Sequence, residues 1–582
     1  MKQMIFVCLF LLCFVLPIQA EEVKVFVLTY PVSNQRVLPN EPVFVPTTSE
    51  ILIIATPGEY EPGSFVLNSK ENLQQVEIEV SDLKSKEGEI IKSSSVDIKI
   101  VKCWYQDKGR GYIEKTPARG YSPIGYSGKK VLVPELLLND DNLIKVDYEK
   151  GKNYIKIKTE KEEKYIDITP GNDVEEIEKQ LPDGYNKWSG MTLVKDSEKL
   201  LPFELKENEN KQVWLTIKIP EDQKAGIYEG NVGIKNKGKE LVNIVMKINV
   251  LPFKLCSYYP ISSIYCQGMS RDLKNFKKEN EDLYTHGILE PYFHDTYVDK
   301  NFEEIKDDFG QRLKILQEIG LYKRGFYFFC GRTRHFIEPT SDNLNKLKEN
   351  VKKIVDFGRS YGINDVYFYG IDEAREERLT AQRPVWEAIH EAGGKVFVAG
   401  YKGDNFSLMG DIQDLLVCAG YPSREEAEKW HAKGHKIVCY GNPQGGIEAP
   451  DTYRRNFGIL LWQYNYDGAM TYCYHWEIQG FGPMWSDWCE RKYKAHNMVY
   501  PTGDGVIDTL QWEGYREGID DVRYLNVLIE EVKKAKDSQM VKKEAQKFLE
   551  ELKKGDINRD IEDMDTLRLK IIDYIMKLKG KQ

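Results

Sequence analysis

Between Ile261 and His475 the chain repeats one rhythm: a short apolar run, then a stretch with helical spacing. The runs are Ile261 to Gln267, Gly287 to Phe293, Arg324 to Gly331, Asp365 to Ile371, Lys395 to Gly400, Leu415 to Tyr421, Lys436 to Tyr440 and Ala469 to His475. Helical patterns such as Phe302 to Ile319 and Ser341 to Tyr361 lie between most of them. Runs of this kind mark parallel strands buried on both faces, each returned by a helix. Eight strands with intervening helices over roughly 260 residues predict a (β/α)8 barrel, since an open doubly wound sheet would carry a Gly-rich phosphate turn that is missing here.

The flanking sequence has other periods. From Glu21 to about Val250 short runs such as Val23 to Leu28, Ile51 to Ala55, Val96 to Val101, Val213 to Ile219 and Gly226 to Ile234 are divided by Gly, Asn, Pro and Lys-rich turns. Several alternate, as Val76-Glu77-Ile78-Glu79-Val80 does, so half-buried antiparallel strands and a β-sandwich are expected. Gly128-Lys129 lacks both the upstream Gly and the following Ser or Thr of a P-loop. After about Val506, Trp512 to Ala535 and Met540 to Lys554 are amphipathic and laced with Lys and Glu. The expected order is therefore a sandwich over 21–250, a barrel over 251–505 and helices packing on it over 506–582.

Residues 1–20 read as a secretory signal: Lys2, an apolar core from Met4 to Leu16, then Pro17-Ile18-Gln19-Ala20 before Glu21. That core is shorter than the roughly 20 residues of a membrane span, and Phe10-Leu11-Leu12 before Cys13 is not a lipobox. An exported protein, periplasmic, secreted or surface-associated, is expected. The 82 basic and 91 acidic residues are spread along the chain, which argues against nucleic acid as a partner. Cys8 and Cys13 leave with the signal, and the other eight cysteines lack C-x-x-C pairs, so neither a disulfide framework nor a zinc site is indicated and no cofactor is expected. The 35 Tyr and 10 Trp offer flat apolar faces with a polar edge, a surface suited to sugar rings.

The fourth run, Asp365-Val366-Tyr367-Phe368-Tyr369-Gly370-Ile371, ends in Asp372-Glu373. Adjacent acids are common in so acidic a chain; their place is what matters. A barrel strand delivers them to the C-terminal face, where barrel active sites are built, and a strand end of this character is expected to bury them. The same face would gather His294 and Asp295, Arg332 and Arg334, Tyr401, Tyr421, Tyr440 and Asn442, then His475, Trp476 and Glu477, with Trp485 and Trp488 in the last loop. A carboxylate-centred pocket with aromatic walls and no obvious metal ligands suits glycosidic bond cleavage, in which one acid is held protonated beside a second.

Three segments together resemble glycoside hydrolase family 123 and its relatives: Gly58-Glu59-Tyr60-Glu61-Pro62, the strand ending Tyr369-Gly370-Ile371-Asp372-Glu373, and the block from Trp512-Glu513-Gly514-Tyr515-Arg516-Glu517-Gly518 through Ile519-Asp520-Asp521 to Leu525. The likeness covers nearly the whole mature chain. It implies that Glu373 is the general acid/base. Asp372 would orient and charge the substrate's own 2-acetamido group, which attacks the anomeric carbon to give an oxazoline. It also implies a terminal β-linked N-acetylgalactosamine substrate. Ala374 stands where relatives commonly have Pro. Tyr401, Tyr440 and Tyr474 compete to donate to the acetamido carbonyl, while Trp476 and Trp485 are candidate stacking platforms and His294, Asn442 and His475 candidate sugar contacts. Arg516, Glu517 and Asp521 read as buried ion pairs that lock the last helix onto the barrel. Two other readings stay open: a protein nucleophile, Glu477 or Glu513, opposite Glu373, and a non-catalytic glycan-binding protein.

Overall fold

The computed structural model describes residues 23–110, 125–256, 260–267, 272–476, 480–486, 497–536 and 538–580, with the backbone of 18–19. The signal expected over 1–20 is otherwise outside the described residues, as are Glu477 and Trp488. The chain forms two compact units.

The first unit comprises the chain up to Trp104 with Leu132–Lys145 and Asp196–Lys254. One of its sheets runs Val23–Leu28, Tyr60–Ser69, Asn210–Lys218, Val96–Asp107, Lys130–Leu138. The other runs Phe203–Leu205, Leu73–Val80, Gly226–Asn236, Lys239–Val250, Ile51–Ala55. Strands that alternate in sequence bury every second side chain, and the two inner faces share one core: Val25, Phe65, Ile100 and Leu215 from the first sheet meet Ile53, Val76, Val232 and Ile244 from the second. This is the expected sandwich, each filled position contributing on the order of 1.5–3 kcal/mol of apolar burial. Glu59 of the Gly58-Glu59-Tyr60 segment is buried and accepts from the backbone N–H of Thr56 at 2.6 Å and its hydroxyl at 3.0 Å, a turn-building role.

The second unit contains the barrel. Its strands are β1 Ile261–Gln267, β2 Tyr292–His294, β3 Phe326–Phe329, β4 Asp365–Tyr369, β5 Lys395–Gly400, β6 Leu415–Ala419, β7 Lys436–Tyr440 and β8 Gly468–Tyr472. All pair in parallel in the order β2-β1-β8-β7-β6-β5-β4-β3, so only a ladder between β2 and β3 is wanting for full closure among the described residues. Residues 105–131 and 146–195, which share the β-rich pattern of the N-terminal region, cluster with this unit. There Lys187 accepts from the N–H of Phe481 at 3.0 Å and Val194 from that of Gly503 at 2.8 Å, so this segment lies against the chain that follows β8.

The late sequence block lies on the helix Leu510–Lys534. A Cβ on Gly514 would come within 2.2 Å of the Pro450 carbonyl oxygen and one on Gly518 within 2.5 Å of that of Arg454, so the two glycines, one turn apart, let this helix press onto Pro450–Phe457. Buried charge completes the joint. Arg454 pairs with Asp521 at 2.8 Å and Asp565 at 2.7 Å, while Arg568 pairs with Asp521 at 2.6 Å and Glu517 at 2.8 Å. Truncating one member of such a network typically costs ~3–5 kcal/mol, because a charge is left buried alone.

His286 sits in the same unit with Asp282 at 3.0 Å and Glu513 at 3.2 Å, stacked on Trp512 at 4.6 Å between ring centroids. Burial alone would lower its pKa, but the Asp282 charge and the hydrogen bonds to Asp282 and Glu513 outweigh it and push the imidazole up to about 10. Asp282, His286 and Asp508 converge closely enough to hold a metal ion, yet both imidazole nitrogens already face carboxylates. The unfolded value is about 6.5, so the stabilisation is full below that pH and is lost as pH rises towards 10. Thermal unfolding of wild type and His286→Gln should therefore differ most below about pH 6.5, the gap closing towards pH 10; a gap that widens with pH would contradict the charged imidazole.

Candidate active site

β4 ends at Tyr369, and the turn that follows is tied down at each step. Gly370 donates to the Phe397 carbonyl at 2.9 Å, Ile371 to Gln382 Oε1 at 2.7 Å and Glu373 to the Ala399 carbonyl at 3.2 Å. The Thr333 hydroxyl, from the loop after β3, donates to the Tyr369 carbonyl at 2.8 Å. Glu373 itself has φ of 46°, left-handed for a residue with a side chain. Such a conformation costs on the order of 1–3 kcal/mol and persists where the surroundings fix it. Adjacent side chains on a strand point to opposite faces, and this turn is what gives both acids the same mouth.

The two acids have separate partners. Tyr369 donates to Asp372 Oδ1 at 2.6 Å, and the Tyr265 and Tyr369 hydroxyls are 3.1 Å apart. Tyr401, just after β5, donates to Glu373 Oε2 at 2.6 Å, and Tyr440, the last residue of β7, donates to Glu373 Oε1. Asp372 is half-buried but Glu373 is exposed, which corrects the expectation that the strand end buries both acids: the left-handed turn carries the second one out to solvent. Burial raises the Asp372 pKa and the neighbouring Glu373 charge adds to this, against the Tyr369 hydrogen bond and the charges of Arg334 and Arg378.

Beneath the pair lies a layer of rings. Tyr369 packs on Tyr292 and Phe397, each at 5.0 Å, and on His294 at 5.5 Å, with Tyr265 and Tyr472 5.6 Å apart beside them. His294 belongs to this floor: it is buried, its Nδ1 lies 3.1 Å from the Tyr292 hydroxyl, and burial with the Arg334 charge lowers its pKa to about 3, keeping it neutral. Arg334 faces Asp295.

Tyr401 and Tyr440 are thus brought onto Glu373, whereas others of the expected set go elsewhere. Asn442 and Trp485 are each 0% exposed, Asn442 with its backbone oxygen held by Asn456 and Trp485 stacked on Tyr500 at 5.1 Å. His475 is buried with its ring 5.0 Å from that of Tyr474. Tyr474 is core, its hydroxyl donating to Asp282 at 2.8 Å. Trp476 is half-buried, its N–H donating to Asn497 Oδ1 at 3.1 Å. Tyr421 turns to Asp556 at 3.3 Å. Glu513 is buried between Arg516 and His286. The sequence reading missed Tyr369, Tyr265, Thr333 and Gln382. For Tyr369 a signal existed, since Tyr367 and Tyr369 share the face of β4 that the period of two assigns to one side.

Comparison with known proteins follows the same lines. The model of the glycoside hydrolase 123 N-terminal domain matches residues 125–236. A search of curated proteins finds no match to the sequence. Among solved structures, the fold is similar to that of a family 123 glycoside hydrolase from Clostridium perfringens, at 12% identity and a TM-score of 0.64 over 96% of this chain and 99% of that one. A family 39 glycoside hydrolase from Bacteroides cellulosilyticus is more distant, at 9% identity and a TM-score of 0.32 over 56% of this chain and 75% of that one. The match of residues 125–236 to the model of that family's N-terminal domain supports a glycoside hydrolase, and the chain has the fold of a family 123 enzyme, which it resembles over nearly its whole length.

Proposed function

We propose that the protein is an exported retaining β-N-acetylhexosaminidase, acting on N-acetylgalactosaminide-type substrates by substrate-assisted catalysis. The observation that carries this reading is the division of tyrosines: two phenols converge on Glu373 and a third holds Asp372, so the adjacent acids are fixed in different directions at the barrel mouth. In this reading Glu373 gives its proton to the leaving oxygen as that bond breaks, while the acetamido oxygen of the substrate attacks the anomeric carbon. Asp372, ionised, accepts from the acetamido N–H and offsets the positive charge that grows on the oxazoline. Glu373 then takes a proton from the incoming water, which opens the ring with retention at the anomeric carbon. The leader-like residues 1–20 motivate export.

The test is a panel of 4-nitrophenyl β-glycosides. The N-acetylgalactosaminide should be cleaved with retained configuration, and the galactoside with a 2-hydroxyl should be essentially inert. Equal rates on the two, or an inverted product, would end the substrate-assisted reading.

A further inference from the structure

Two guanidinium groups stand beside the carboxylate pair without a carboxylate partner among the described residues. Arg375 is exposed, and its Cζ lies 3.8 Å from the centre of the Tyr401 ring, the same ring whose hydroxyl donates to Glu373. Arg378 is exposed a few residues on, and its charge opposes the rise in the Asp372 pKa without reversing it. Other arginines nearby are matched: Arg334 with Asp295, and Arg383 with Asp411 at 2.8 Å.

The stacking itself accounts for only part of this arrangement. A cation over an exposed ring contributes little, and a lysine would supply the charge as well. Arginine differs in that its guanidinium carries five N–H donors in a planar fork that matches a carboxylate or sulfate, more than its hydrogen bond with Tyr401 uses. Tyr401 fixes where that fork sits, because its own hydroxyl is fixed on Glu373. A group bound there lies next to the residue assigned as the acid, which faces the leaving oxygen.

We infer that the substrate carries an anionic group, a carboxylate or a sulfate ester, on the sugar at the leaving side of the scissile bond, and that Arg375 binds it with Arg378 adding to the local field. This rests on the assignment of Glu373 as the acid. It makes Arg375 a specificity-determining residue, and it sets a substrate class that a neutral terminal sugar on a neutral neighbour does not meet.

Three disaccharides test the inference: β-N-acetylgalactosaminyl-(1→4)-glucuronic acid, the same compound ending in glucose, and the glucose compound bearing a 6-sulfate. One of the two anionic compounds should exceed the neutral one in kcat/KM by on the order of 10- to 100-fold, which also tells carboxylate from sulfate. The preference should weaken as salt rises. Arg375→Ala should bring the anionic-to-neutral ratio close to one, and Arg375→Lys should restore only part of it, since it returns the charge without the fork. Equal kcat/KM on all three compounds, or an Arg375→Ala loss that is the same on each, overturns the inference while leaving the proposed reaction standing. Calorimetric titration of the same compounds covers the converse: Arg375-dependent preference for an anionic compound in a protein that cleaves none of them would keep the inference and sink the reaction.

Discussion

Glu373→Gln should lower kcat/KM on an oligosaccharide glycoside by roughly 10² to 10⁴-fold, the range general acid/base catalysis supplies. Glutamine keeps the length and planarity of the side chain but has no proton to give at the leaving oxygen. It also disturbs the two hydroxyls that meet there. Tyr401 and Tyr440 both donate to the Glu373 carboxylate, and an amide offers one acceptor oxygen where they now find two. The loss should shrink on glycosides with acidic leaving groups such as 4-nitrophenol, which depart with little protonation, and the difference between the two substrate types is the diagnostic readout. Steady-state kinetics on a disaccharide and an aryl glycoside of the same sugar decide the matter. A variant that keeps near wild-type kcat/KM on the disaccharide shows that Glu373 is not the acid.

The exposed position of Glu373 shapes how that experiment should look. Its carboxyl has solvent on one side and two phenols on the other. The strain of the left-handed residue and the four hydrogen bonds around its turn, from Gly370, Ile371, Glu373 and Thr333, are what hold an exposed side chain in one place. A site of this kind depends on its backbone more than on its packing.

Much of this was legible because the barrel strands are buried on both faces and read as unbroken apolar runs. β4 to β8 begin within a residue or so of the runs that mark them, and the acids of Asp372-Glu373 follow β4 as its position in the rhythm requires. The run Gly287 to Phe293 starts ahead of β2, because Ile288 is apolar for a different reason: it is buried on the approach to a strand that pairs only from Tyr292 to His294. What sequence could not convey is the direction of single side chains in loops. Trp485 and Trp476 are equally plausible as sugar platforms on composition alone; that the first is stacked on Tyr500 is something nothing local announces. The same holds for residues 146–195, whose strands alternate like those of the sandwich but cluster with the barrel unit, since alternation says that a strand has two unlike faces and not what covers them. The late block was the converse case: its charges read correctly as ion pairs, while the reason for Gly514 and Gly518, a helix pressed against carbonyl oxygens, needed coordinates.

Asp372→Asn should reduce kcat by on the order of 10² to 10³-fold, the usual effect of losing one well-placed electrostatic partner of the transition state. The argument runs through charge rather than shape. Asparagine fits the same space and still accepts from Tyr369, whose hydroxyl is 2.6 Å from the carboxylate, so the pocket should survive. What disappears is the negative charge that would face the acetamido group as it becomes an oxazolinium. Burial and the adjacent Glu373 charge both disfavour that ionised form, and they prevail over the Tyr369 hydrogen bond and the charges of Arg334 and Arg378. The sign for pH follows: Asp372 stays protonated to a higher pH than an ordinary aspartate, so wild-type activity should fall on the acid side at a pH above the usual aspartate range, and the Asn variant should lack that limb. A thiazoline mimic of the oxazoline should inhibit the wild type competitively and bind the variant far more weakly. If instead a 2-fluoro sugar labels a carboxylate of the protein, or the Asn variant keeps both its rate and its acid limb, the substrate's own amide is not the nucleophile, and Asp372 is a structural neighbour of Tyr369 alone.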